Sequence, residues 1–349
     1  MFIGKTYHKF SFFCQIVCIF AGNIAKKFML NRSILRIKAF ETVYSSVLSG
    51  DKSIPSALQR LDESCEATRE LFVFLCGMVV PLTAVAFERI EVLRAKFNPT
   101  EEERNPNMKF CQNRLAALLD EDPDLNKLLK KYSLSWEQYD IFLKKLLDSV
   151  TAKQYYIDYM SSPETSLAED CRLFTRIFDE ELSDNRDLEA ILEDMSLYWN
   201  DDLSYAVHCC CRSFADIAKG KMWTLPPLYA SQMKVGRPGL GDDRAFVRKL
   251  VESSLANYEK YSEMVCANAR GWDADRLFLV DVVLVSVALA EILHFPSIPV
   301  NVSMNEYVEI SKYYGTPKSR AFVNGVLDRI VKQLDAEGTI NKTVQNLNV

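Results

Sequence analysis

Ten cysteines and three histidines are the side chains in this 349-residue chain that could bridge or hold a metal. Their spacing favours neither. No C-x-x-C pair occurs, and Cys209, Cys210 and Cys211 are adjacent, so on a helix their thiols point in different directions. His8, His208 and His294 lie far apart. Reduced, buried thiols in a cytoplasmic protein are the expected state, with no metal and no cofactor. The run GRPGLG at 236–241 spaces its glycines closely. A phosphate-binding lysine and a preceding strand are both missing, which argues against a P-loop or a dinucleotide fingerprint. Asp281 and Glu291 interrupt an otherwise apolar run, LFLVDVVLVSVALAEIL. A carboxylate on such a helix calls for a pairing partner, inside the chain or on another protein.

The elements that must position these residues read as helices throughout. Hydrophobic residues make up 48% of the chain and only 12 Gly and 12 Pro punctuate it, so the expected class is all-α. Asn31 to Leu48 reads as one amphipathic helix with Ile34, Val43, Tyr44 and Val47 near one face, joined by Ile37 or Leu35. A second block covers Ser56 to Lys96, followed by a polar break, NPTEEERNPN. Trp272 to Leu293 is apolar nearly all round, as the central helix of a bundle would be. Ser303 and Glu306 have capping-box spacing for the next helix, which Gly315 can end in a left-handed turn. Ser319 can cap the last helix. Gly325 sits inside that helix despite the conformational penalty, which implies a close approach to its backbone.

Net charge is −5, which argues against blanket nucleic-acid binding but leaves room for a local basic site. Residues 161–205 hold thirteen acidic side chains against three basic ones, read as a solvated acidic face. Residues 1–28 place Lys5, His8 and Lys9 before an apolar run too short for the ~20 residues of a membrane span. They read as a leader or as a misassigned start upstream of Met29. The proline- and glycine-rich stretch 220–243 marks a linker. FLKKLLDS at 142–149 is echoed by FVRKLVES at 246–253, either as a degenerate duplication or as two helices sharing a common pattern.

The pieces DRAFVRKLVESSLANYEKYSEMV, WDADRLFLVDVVLVSVALAEIL, SIPVNVSMNEYVEIS and SRAFVNGVLDRI follow one another in family order. Together they resemble consecutive helices of the NusB transcription antitermination factors, with N-E followed by F-V-N-G-V-L-D as the specific signature. Arg32 to Leu48 is similar to the family's opening helix. The resemblance implies two packed three-helix bundles, with residues 29–49 and 241–335 forming the family fold. Residues 50–240 are then a helical insertion and 336–349 a flexible tail.

The same resemblance implies single-stranded boxA-type RNA and a NusE-type small-subunit ribosomal protein as partners, within the RNA polymerase antitermination complex. Arg32 and Arg36 match the family's basic cluster for RNA phosphates, whereas Ser33 and Ile34 stand where it is usually basic; Lys38 can compensate in part. Tyr44 and Phe322 match positions near the RNA, where aromatic faces stack on bases, though both also have core spacing. Asn324 completes the signature, and Lys318 and Arg320 flank the helix start, where cations and amides meet phosphate. Asp281 and Glu291 match acidic positions implied in binding the protein partner. Two other classes compete: an adaptor that binds protein alone, and an RNA-modifying enzyme carrying such a domain. The enzyme would need an α/β cofactor domain, and residues 50–240 show no strand-and-glycine pattern for one.

Overall fold

The structure, a computed structural model, describes residues 29–230, 242–269 and 278–343. The leader, the GRPGLG run, the first residues of the Trp272–Leu293 segment and the end of the tail lie outside the described residues. Among the described residues every regular element is helical.

α1 (Arg32–Ser49) starts where the Asn31 side chain accepts from the Ile34 amide at 3.0 Å, and stops at Gly50 with φ +70°. The 56–96 block divides into α2 (Ile54–Cys76) and α3 (Val79–Arg94). They part at Gly77, where an added Cβ would stand 3.0 Å from Leu129 Cδ2. The polar break contains a single helical turn, α4 (Glu101–Arg104), held by a capping box between Thr100 and Glu103. Asn113 and Asp122 then cap α5 (Arg114–Asp120) and α6 (Pro123–Lys131), Pro123 taking the first position, where its missing N–H costs nothing. α7 (Asp140–Thr151), α8 (Gln154–Ser161), α9 (Leu167–Ile177), α10 (Arg186–Met195) and α11 (Leu203–Ala218) follow. Beyond the linker come α12 (Asp243–Ala256), α13 (Tyr258–Asn268), α14 (Leu279–His294), α15 (Val300–Tyr314) and α16 (Ser319–Ala336).

The chain forms two compact units. One is Glu66–Pro226; the other joins the described residues up to Cys65 with those from Pro227 onward. The division falls inside α2 and not at the Gly50 turn. The stretch Ile54–Arg94 is long and apolar enough to cross a membrane, but 67% of its most apolar window is buried.

In the Glu66–Pro226 unit, Phe74 anchors an aromatic cluster with Trp136 and Trp199, at centroid distances of 4.1 and 5.6 Å. The acidic stretch is only partly a solvated face. Asp170 is buried and accepts from the Tyr159 hydroxyl at 2.6 Å and the Arg114 amide at 2.8 Å, and Asp202 accepts from the Thr68 hydroxyl at 2.5 Å. The echoed octapeptides lie in α7 and α12 and bury the same positions: Phe142, Leu143, Leu146 and Leu147 in one, Phe246, Val247, Leu250 and Val251 in the other.

The second unit is built around α14, which is buried on every side from Asp281 to Ile292. α1, α12, α13, α15 and α16 all pack on it. α1 therefore shares a core with helices more than 190 residues downstream. Burial on α1 takes in Leu35 and Phe40, while Ile37 and Tyr44 are half-buried.

Candidate nucleic-acid interface

The second unit contains all ten sequence-derived site residues, and its core divides them. Arg36 on α1 is 3% exposed. Its Nε and Nη2 donate to the two oxygens of Glu291 on α14 at 2.7 and 2.8 Å, and Glu306 lies 3.5 Å from Nη1. Glu291 is completely buried and also accepts from the Ser303 hydroxyl at 2.7 Å and the Tyr307 hydroxyl at 3.1 Å. Burial alone would favour a neutral guanidine, but the Glu291 carboxylate outweighs it and holds Arg36 charged. The same burial, with Glu291 beside it, pushes the Tyr307 phenol well up, so Tyr307 stays a donor.

Arg36 and Glu291, drawn by resemblance from an RNA site and a protein site, thus belong to one internal network. Ser303 is spent on this network and does not cap α15, which starts three residues earlier at Val300. Lys38 is 2% exposed, with Glu41 at 4.0 Å from its Nζ. Neither cation faces solvent: Arg36 turns toward α14, and Lys38, two residues on and so on another side of the helix, is buried beside Glu41.

Asp281 is a second buried carboxylate, 3% exposed. Its Oδ2 accepts from the Ser319 hydroxyl at 2.9 Å, while Oδ1 is buried without a hydrogen bond. Burial holds its pKa above the ordinary carboxylate value. Ser319 also accepts from the Thr316 amide at 2.8 Å, so it ties the α15–α16 turn to α14. It is not an N-cap; that position is Lys318. Gly315 ends α15 with φ −94° and ψ −174°, an extended and not a left-handed conformation. The glycine is required for room: a Cβ there would stand 2.3 Å from Ser319 Cβ and 2.6 Å from the Ser311 carbonyl. Gly325, where a close approach is expected from sequence, has nothing within 4 Å of an added Cβ.

This pinned turn presents the outward-facing set. Lys318, Arg320 and Asn324 are exposed, the last two one helical turn apart on α16. Phe322 points the other way and is 6% exposed, in the core. On α1, the Arg32 side chain is 27% exposed, 3.1 Å from Asp243 and with its guanidinium 4.9 Å above the Phe246 ring. Tyr44 is half-buried, its ring 5.9 Å from Phe40. Phe40 meets Tyr314 at 5.1 Å, and the Tyr314 hydroxyl donates to Glu41 at 2.7 Å. Together they hold the Tyr44 end of α1 against the end of α15, a few residues before Lys318.

Sequence reasoning missed Tyr307, Phe246 and Asp243. Glu306, within the N-E signature, was the available signal that an acidic group faces the opening helix.

A family model described as the NusB family matches residues 231–332. Among curated proteins, the transcription antitermination protein NusB of Salinibacter ruber is 38% identical over 104 residues, 30% of this chain and 65% of that protein. Its namesake in Chloroherpeton thalassium is 33% identical over 102 residues, 29% of this chain and 48% of that protein. The namesake in Bacillus licheniformis is 43% identical over 91 residues, 26% of this chain and 70% of that protein. The chain therefore spans less than two thirds of the first two of these relatives. The family match begins after α1, so the likeness at Arg32–Leu48 lies outside it. No solved structure matches the chain.

Proposed function

Because this chain belongs to the NusB family, we propose that it is a non-enzymatic transcription antitermination factor of the cytoplasm. In this reading the second unit binds single-stranded boxA-type RNA together with a NusE-type ribosomal protein, and the complex acts on RNA polymerase processivity, at rRNA operons. The observation that carries the reading is the exposed Lys318, Arg320 and Asn324 on a helix start fixed by Gly315, Ser319 and Asp281. Cations beside a helix N-terminus attract phosphate, and an exposed amide side chain reads a base edge. On α1, Tyr44 is half-buried beside the end of α15, and Arg32 is partly exposed at the helix start. A protein partner meets residues other than Asp281 and Glu291, whose carboxylates have little or no exposed surface.

The inward turn of Arg36 and Lys38 favours a second reading, an adaptor that binds protein and little RNA. A titration of fluorescent boxA-type RNA, with and without a NusE-type protein, separates the two. Lys318→Ala with Arg320→Ala should weaken binding and lower the log–log salt slope by about 1–2 units, one for each phosphate no longer neutralised. Unchanged affinity and slope would reject the site and leave the adaptor.

A further inference from the structure

The Glu66–Pro226 unit carries a cleft that the RNA reading leaves unused. α3, α5, α6, α7 and the turn before α7 enclose an open volume of about 550 Å³. Its floor is apolar, formed by Val85, Leu119, Leu129, Leu134 and Trp136 among others. That floor is closely packed. Trp136 lies flat on Phe74 with centroids 4.1 Å apart and 10° between planes, and its Nε1 donates to the Phe74 carbonyl at 2.7 Å. Leu129 packs so closely on Gly77 that an added Cβ there would lie 3.0 Å from it.

The mouth is acidic. Glu88, Asp120, Glu137 and Asp140 line the cleft, and among the described residues no lysine or arginine does. Lys144, one turn along α7, reaches Asp140 at 2.6 Å.

An apolar floor ringed by carboxylates selects a ligand with an apolar ridge and cationic flanks. A phosphate backbone meets like charge there and is repelled. A neutral apolar molecule would fill the floor and leave the rim unused. A helix laid in a groove offers side chains at i, i+3 or i+4 and i+7 to the floor, with lysines or arginines beside them for the rim. We propose that this cleft docks a basic amphipathic helix of a partner protein. Its apolar side chains would enter between α3 and α7, and its cations would meet Glu88, Asp120 and Glu137. The proposal is independent of the RNA reading, since its residues all lie in the other unit.

The test uses the full chain and a fluorescent amphipathic peptide of leucine and lysine, about 18 residues or five helical turns long. A leucine–glutamate peptide of the same pattern is the counterpart. The leucine–lysine peptide should bind and the counterpart should not. Glu88→Lys with Glu137→Lys should weaken binding by about tenfold or more, as should Ala84→Trp, which fills the cleft without changing charge. Asp184→Lys with Asp194→Lys alters net charge equally at exposed positions that do not line the cleft and should leave binding within about twofold. Circular dichroism checks that each variant keeps its helix content. The proposal fails if the pair outside the cleft weakens binding as much as the rim pair, if Ala84→Trp has no effect, or if the acidic peptide binds equally. Competition by single-stranded RNA for this face would also overturn it. Binding of boxA-type RNA by the rim and Ala84 variants should match the parent, so either reading can fail alone.

Discussion

Arg36 and Glu291 stand 255 positions apart in the chain and meet through two hydrogen bonds of 2.7 and 2.8 Å with almost no exposed surface. This pair joins the opening helix to the central helix of the second unit. Removing one member leaves the other charged and buried without its partner, which costs about 3–5 kcal/mol. Arg36→Met and Glu291→Leu should each lower urea-unfolding stability by that order. The double variant should be less destabilised than the sum of the two, because neither member of the pair is left charged and buried opposite an apolar side chain. Additive losses would show that the two side chains do not act as a pair.

Asp281 gives a pH-dependent prediction. Its carboxyl titrates above the ordinary value of 3.8 because burial disfavours the anion. The folded state then binds a proton that the unfolded state has released, so stability falls as pH rises from the ordinary value through the folded one. Asp281→Asn can still accept from Ser319 and carries no charge to bury. It should raise the melting temperature relative to the parent near pH 7, with the gain shrinking toward about pH 4. A variant that is less stable than the parent near neutrality would mean that the anion is satisfied in the fold.

The two glycines of the α15–α16 region should respond in opposite directions. Gly315→Ala places a Cβ 2.3 Å from Ser319 Cβ, so the turn must shift and stability should drop. Gly325→Ala meets nothing within 4 Å inside a helix, so stability should rise by about 0.5–1 kcal/mol. If RNA uses the bare backbone at Gly325, the same substitution weakens boxA-type RNA binding in the titration while the protein becomes more stable.

Phe322 separates packing from binding. Truncating this core ring to alanine should cost about 3–5 kcal/mol. Phe322→Leu, which keeps most of the volume, should lose much less stability and retain RNA affinity. A large affinity loss in a stable Phe322→Leu protein would return the ring to the RNA surface.

Sequence alone determined the helical class, the boundaries set by local chemistry and the family of the C-terminal helices. Asn31 to Leu48 reads as one helix, close to the observed Arg32–Ser49, and the apolar run before His294 reads as a central helix, because helical periodicity acts within a few residues. The signature at residues 322–328 is local in the same way. Which face of α1 turns inward was decided only by tertiary packing. A helix with Arg32, Arg36 and Lys38 at four- and two-residue spacings can present its cations to solvent or to a buried carboxylate. For Arg36 the choice depended on Glu291 lying opposite, which no local pattern encodes. Gly315 and Gly325 were legible as glycines with a purpose, but their roles followed from distances to Ser319 and to open space. The division inside α2 was equally hidden, since a continuous helix carries no local mark of where its neighbours change. Propensity, capping and periodicity are short-range and survive in a string of letters. Pairing across 255 positions is a property of the packed core alone.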